Sequence, residues 1–379
     1  MPRSDHLLAG PRLRKAALLS RWLGPWADAE AVPRDVVRYG DVIDGPRPLR
    51  AYRYEPTRQR ATGTYLVLQG LHFRGPEDPR FDRFCRILAQ AGHVVLAPFL
   101  PDYLDLRVTP ETIADAGAAV DHAAKLSAER GLPRPALFSI SFGSLPALAT
   151  AADPAWRDRV GAVVVFGGYC DFLSTIRFSI SGRAFDADRR PVEVPHDPLN
   201  PPAVFINLLP HLEGAHDPKL LADAWREMAR RTWGQRALHP PAKRWPIAEA
   251  IAARLASGDR TLFMAGCGLG DGGPPLLEVG IARAGDAMGF TQAEPLLSRI
   301  AAPVVICHGR DDDVIPYVEA YKLRAGLRGN HPHRLFVSGL FGHTGSAVPS
   351  AEALKREIGT MRDMVMALVD APHERLGPI

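Results

Sequence analysis

Cysteine, lysine and long apolar runs are all scarce in this 379-residue sequence. The four cysteines, Cys85, Cys170, Cys267 and Cys307, stand far apart with no C-x-x-C spacing. That spacing excludes a disulfide framework and the usual zinc or redox motifs, and leaves buried free thiols as the expectation. Only six lysines occur among the 46 basic residues, no five-residue block is purely Lys/Arg, and the net charge is +4. A nucleic-acid partner is therefore not expected. No apolar run approaches the roughly 18–20 residues of a spanning helix. Arginines at 12, 14 and 21 interrupt what would be the apolar core of a leader, so a secretory signal peptide is not expected and a cytoplasmic protein is. With 46% apolar and 23% charged residues the chain has enough core-forming material to exclude extensive disorder.

What is present follows a rhythm. Residues 6–26 form a short amphipathic stretch, expected to pack on the domain as an N-terminal helical extension (1–34) rather than to touch a membrane. DVVRYGDV (35–42) and LRAYRYEP (49–56) alternate as antiparallel strands do. TYLVLQG (64–70), HVVLAPFL (93–100), PALFSIS (135–141) and VGAVVVFGG (160–168) are continuous apolar runs, the pattern of strands buried on both faces. Helical periodicity at 80–92, 109–131 and 144–152 separates them. Strands alternating with helices of this length predict an α/β fold, with a mostly parallel, doubly wound sheet.

The rhythm breaks over 172–300, where Pro-rich loops alternate with helical segments such as 219–234 and 247–257. It resumes with APVVICHG (302–309), HRLFVSG (333–339) and a last helix near 350–370. The expected organisation is one core in two parts, 35–171 and 301–379. Between its sixth and seventh strands lies a helical cap, 172–300.

Three segments carry chemistry. Ser139-Ile140-Ser141-Phe142-Gly143 joins a buried strand to a helix, the setting of a nucleophile elbow, where small residues at both ends of the pentapeptide let a strained turn form. A serine hydroxyl needs a base to become nucleophilic. His343, in the glycine-flanked loop after the last strand, is better placed for that role than the other twelve histidines. His331 and His333 precede that strand and belong at its opposite end. A carboxylate should orient the imidazole; the residues themselves leave Asp311, Asp312, Asp313 and Asp171 open.

The order Ser…Asp…His, with SISFGS as elbow, HGRDDDVIP as acid loop and GLFGHT as histidine loop, resembles the α/β-hydrolase superfamily across about 36–171 and 300–370. The resemblance implies the α/β-hydrolase fold and places the triad acid on Asp312, the third residue after Gly309. It also implies an oxyanion hole from the backbone N–H groups of Leu71 and Phe142. Two positions depart from its pattern: Ser139 replaces the first glycine of G-x-S-x-G, and Gln69 replaces a histidine. Relatives with Asp at the elbow (haloalkane dehalogenases, epoxide hydrolases) or Cys (polyester synthases) are set aside by Ser141. The activity implied is cleavage of a small carboxylic ester with an apolar portion, through an acyl-enzyme, with no cofactor and no metal. An acyltransferase, a C–C or amide hydrolase, and a non-catalytic binding protein of the same fold are the alternatives. Of the aromatics in 172–300 (Phe172, Phe178, Phe205, Trp225 and Trp233), one or two are expected to line the site.

Overall fold

The computed structural model describes residues 5–23, 27–270, 272–339 and 351–373. Eight strands form the main sheet. They are β1 (Val36–Ile43), β2 (Leu49–Pro56), β3 (Thr64–Leu68), β4 (Val94–Pro98), β5 (Ala136–Ile140), β6 (Ala162–Phe166), β9 (Val304–Gly309) and β10 (His333–Ser338). Their order across the sheet is β1-β2-β4-β3-β5-β6-β9-β10. β2 pairs antiparallel with both β1 and β4, and every other pairing is parallel. The remaining strands, β7 (Ala184–Phe185) and β8 (Pro191–Val192), make a separate two-residue hairpin. It closes around a turn in which Arg189 has a positive φ of 61° and the Asp186 side chain accepts the Arg190 N–H. Strands this short carry no readable alternation, which is why 172–300 predicts only helices and loops.

The continuous apolar runs become strands because helices cover both faces. All five residues of β3 and of β4 are buried. One face packs against helices Pro110–Glu129 and Ser144–Ala152, where Ala116, Ala119, Val120, Ala147 and Leu148 meet Leu66, Leu137 and Val163. The small alanines let these helices lie close to the sheet. The other face packs against helices Asp5–Leu23, Pro79–Gln90 and Ala351–Asp370, through Leu19, Cys85, Leu88 and Leu368. The N-terminal helix thus lies on the domain, and the Arg12 guanidinium binds both oxygens of Asp370. No helix among the described residues is long and apolar enough to cross a membrane. All four cysteines are buried free thiols, and burial raises each thiol pKa, that of Cys170 to about 12.

Between β6 and β9 the chain builds a helical layer with its own apolar centre. Phe205, Trp225, Phe263 and Leu208 are fully enclosed there, and the centre is continuous with Leu100, Tyr103 and Leu145 of the sheet domain. The helix expected over 247–257 instead runs Pro241–Ala252, with Pro241 at the first turn, where a missing N–H costs nothing. A second helix, Ser257–Gly266, follows it. Gly266 is the contact that admits Trp225: a Cβ there would lie 2.5 Å from the indole Nε1. Trp225→Ala should destabilise the protein by about 3–5 kcal/mol, as truncation of a fully buried aromatic does. Urea unfolding checks this, and a change below about 1 kcal/mol would show that the layer is not packed as described.

Candidate functional site

The parallel strands direct the chemistry-bearing loops to one edge. β3, β5, β6, β9 and β10 all end there, at Leu68, Ile140, Phe166, Gly309 and Ser338. The amino ends lie opposite. His333 opens β10 beside Val304, and His331 Nε2 sits 3.0 Å from the Ala302 carbonyl, so neither approaches the loop edge.

Ser141 follows β5 directly and has φ +54°, one of three non-glycine residues with positive φ among those described. A serine there costs conformational energy, and the surrounding backbone must hold it in place. Two glycines make that possible. A Cβ on Gly143 would lie 2.5 Å from the Gln69 carbonyl oxygen and 2.7 Å from that of Leu68, so only glycine lets the elbow approach the end of β3. A Cβ on Gly70 would lie 3.1 Å from Ser141 Cβ and 3.2 Å from the Ile140 carbonyl oxygen. The departure at Ser139 is accommodated: its hydroxyl is buried and donates to the Val164 carbonyl at 3.1 Å. Beyond the elbow, the buried Tyr103 hydroxyl donates to the Phe142 carbonyl at 2.8 Å, a hold on the turn that the sequence does not signal.

Ser141 opens on a cavity of about 760 Å³. Leu71, Phe142 and His72 line it from the sheet edge, and Phe172, Val204 and Trp233 from the inserted helices. Of the five aromatics named from 172–300, Phe172 and Trp233 therefore face the cavity, while Phe178, Phe205 and Trp225 are core. Asn200, Asn207 and Arg230 also reach it, from a segment whose sequence shows no recognisable motif.

The acid loop separates the four candidate carboxylates. Asp311 is exposed. Asp171 accepts the Ser174 N–H at 3.0 Å and so caps helix Phe172–Ser181. Asp312 is buried, and its Oδ1 accepts the N–H groups of Val314 and Ile315 at 3.0 and 2.9 Å, which fixes the carboxylate plane. Its Oδ2 lies 3.6 Å from His308 Nε2. That nitrogen also sits 2.9 Å from the Ile315 carbonyl oxygen, an atom that only accepts, so it carries a hydrogen. Asp313 is buried as well, and its carbonyl accepts the Asp197 N–H at 2.9 Å. His343 lies outside the described residues, five positions beyond the end of β10.

His72 forms part of an aromatic wall, stacked on Phe73 at 4.4 Å between centroids and 5.8 Å from the Trp233 ring. Its Nδ1 accepts the Arg74 N–H at 3.2 Å. Burial, with repulsion from Arg80 and Arg74 and against the attraction of Asp78, lowers its pKa to about 4. Asp78 is held below the usual carboxylate range: burial alone would raise it, but the Arg80 hydrogen bonds and charge outweigh burial. An unfolded histidine gains its proton near pH 6.5. The native ring stays neutral until about pH 4. Stability linked to His72 is therefore complete above about pH 6.5 and is lost as the pH falls from there toward 4, where the unfolded chain binds the extra proton. A His72→Phe variant should lose less stability than the parent between pH 7 and pH 5. Urea midpoints at the two pH values test this, and equal losses would contradict the assignment.

No protein-family model matches the chain, and no curated protein matches it in sequence. Solved structures do. Brefeldin A esterase, a bacterial homologue of human hormone-sensitive lipase, is similar with a TM-score of 0.50 at 17% identity, over 99% of this chain and 89% of that one. The Pyrobaculum calidifontis esterase is similar with a TM-score of 0.46 at 15% identity, over 100% and 95%. At such identities the likeness speaks to architecture alone. Taken with the strand order and the strained serine after β5, the likeness to brefeldin A esterase establishes that the chain has the α/β-hydrolase fold.

Proposed function

We propose that the protein is a serine hydrolase that cleaves carboxylic esters through an acyl-enzyme on Ser141. The observation that carries this reading is the Ser141 backbone, held at φ +54° in the lining of a cavity of about 760 Å³ by two close glycine contacts. Strain of this kind is retained where a side chain must be presented, and nothing in the packing alone requires a serine at such a φ.

In the proposed mechanism His343 removes the Ser141 proton as the hydroxyl attacks the ester carbonyl. Asp312, oriented by its two backbone N–H donors, fixes the imidazole tautomer and stabilises the imidazolium. The backbone N–H groups of Leu71 and Phe142 stabilise the oxyanion. Gly70 supports that role by bringing the Leu71 loop against Ser141, and Tyr103 supports it by anchoring the Phe142 peptide. His343 then protonates the departing alcohol and activates the water that releases the acid. The chain's own residues supply every step, with no cofactor or metal. Residues 172–300 act as a cap whose Phe172, Val204 and Trp233 enclose the apolar part of a small ester.

A fluorophosphonate probe should form one adduct, on Ser141, in the folded protein, and absence of the adduct would overturn the reading. With a 4-nitrophenyl ester, Ser141→Ala should lower kcat on the order of 10⁵–10⁶-fold. Asp312→Asn should lower it by roughly 10⁴-fold, whereas Asp171→Asn should act through stability alone. The opposite ranking of the two aspartates would move the acid to Asp171.

A further inference from the structure

The charges around the cavity are unevenly satisfied. Three carboxylates and three arginines line it. Asp78 is bound by Arg80 through its side chain at 3.0 and 3.1 Å. Asp197 is buried in the wall, accepts the Leu199 N–H at 2.9 Å and lies 3.3 Å from His239 Nε2. Burial, reinforced by repulsion from Asp313, raises its pKa. Glu30 is exposed and lies in the field of Arg83. Arg74 and Arg230 are different. Both are exposed, both line the cavity, and among the described residues neither makes an ion pair. The Arg74 guanidinium lies over the Phe73 ring, 5.9 Å from its centroid.

These two arginines come from distant parts of the chain. Arg74 belongs to the loop after β3, and Arg230 to helix Pro218–Thr232 of the inserted layer. Both are exposed and line the same cavity as Ser141, which is itself buried. The lining also includes the apolar side chains of Val108, Phe172, Ile176 and Val204. A ligand that fills this cavity thus meets the serine, an apolar lining and two guanidinium groups of like charge. Guanidinium groups in that position bind carboxylate or phosphate oxygens and would otherwise repel one another.

We infer that the preferred substrate is an ester carrying an anionic group remote from the scissile carbonyl, bound in the cavity by Arg74 and Arg230. This inference rests on the ester-hydrolase reading for its chemistry and on the cavity lining for its specificity. The attraction is partly exposed and so should weaken with salt.

The test compares 4-nitrophenyl esters of ω-carboxy acids of six to ten carbons with their methyl-ended counterparts. Acetate esters of ω-hydroxy acids form a second arm, and ω-phosphate analogues a third. The expected result is a kcat/KM advantage of about tenfold for the anionic ester in at least one arm at low salt, shrinking several-fold by 0.5 M NaCl. In Arg74→Gln/Arg230→Gln the charged-to-neutral ratio should fall to about one, and in Arg74→Gln/Arg230→Glu it should invert toward esters with an ω-ammonium group. A larger ratio for phosphate than for carboxylate would assign the headgroup to a phosphoester, the reverse to a dicarboxylate, and either supports the inference. Calorimetry with Ser141→Ala and suberate separates the two readings. Suberate binding that requires both arginines, with no ester turned over by the parent, keeps the anion site and removes the hydrolase. Ester turnover with equal rates for charged and neutral substrates in every arm, and no suberate binding, overturns the anion site alone.

Discussion

The approach of two backbone segments, the end of β3 and the turn after β5, sets the geometry on which the rest of the site depends. The Leu68 and Gln69 carbonyl oxygens come so near Gly143 that a methyl group has no room there, and Gly70 lies against Ser141, where a Cβ would come within 3.1 Å of the serine Cβ. Parallel pairing of β3 with β5 holds the two segments in register, Leu68 beside Ser139. The turn is therefore compressed from the β3 side and anchored from β6 by the Ser139–Val164 hydrogen bond. A serine at positive φ survives because sheet pairing on both sides over-determines its position.

From that fixed point the cavity is assembled outward from separate parts of the chain. The β3 loop brings Leu71, His72 and Arg74; the elbow brings Ser141 and Phe142; the inserted helices bring Phe172, Val204, Arg230 and Trp233. The aromatic wall of His72, Phe73 and Trp233 joins loop to inserted layer, so the two sides of the cavity share one contact surface. Continuity of the apolar centre from Leu145 and Tyr103 to Trp225 gives that layer a firm seat on the sheet.

Much of the core was legible in sequence because burial on both faces leaves a plain mark. VGAVVVFGG and APVVICHG have no polar interruption, and a strand can afford that only between two helical layers. SLPALATAA reads as a helix and is one over Ser144–Ala152. The inserted layer was far less legible. Its helix boundaries near 241–266 depend on which proline begins a turn and on how Trp225 fits against Gly266, and neither contact is local. Arg230 and Tyr103 carry no motif at all. They matter through what lies opposite them.

The aspartates show where the division falls. Sequence alone determined the sheet, the place of the elbow and the order in which serine, carboxylate and histidine follow one another, because each is written in local periodicity or in chain order. The residues by themselves left Asp171, Asp311, Asp312 and Asp313 open, and only the resemblance pointed to Asp312. Only the tertiary structure gave them different surroundings, committing Asp171 to a helix cap, exposing Asp311, burying Asp313 and pinning buried Asp312 between two N–H donors. The physical reason is that a carboxylate's role is decided by burial and by hydrogen-bond partners, and those are supplied by residues that the local sequence does not name.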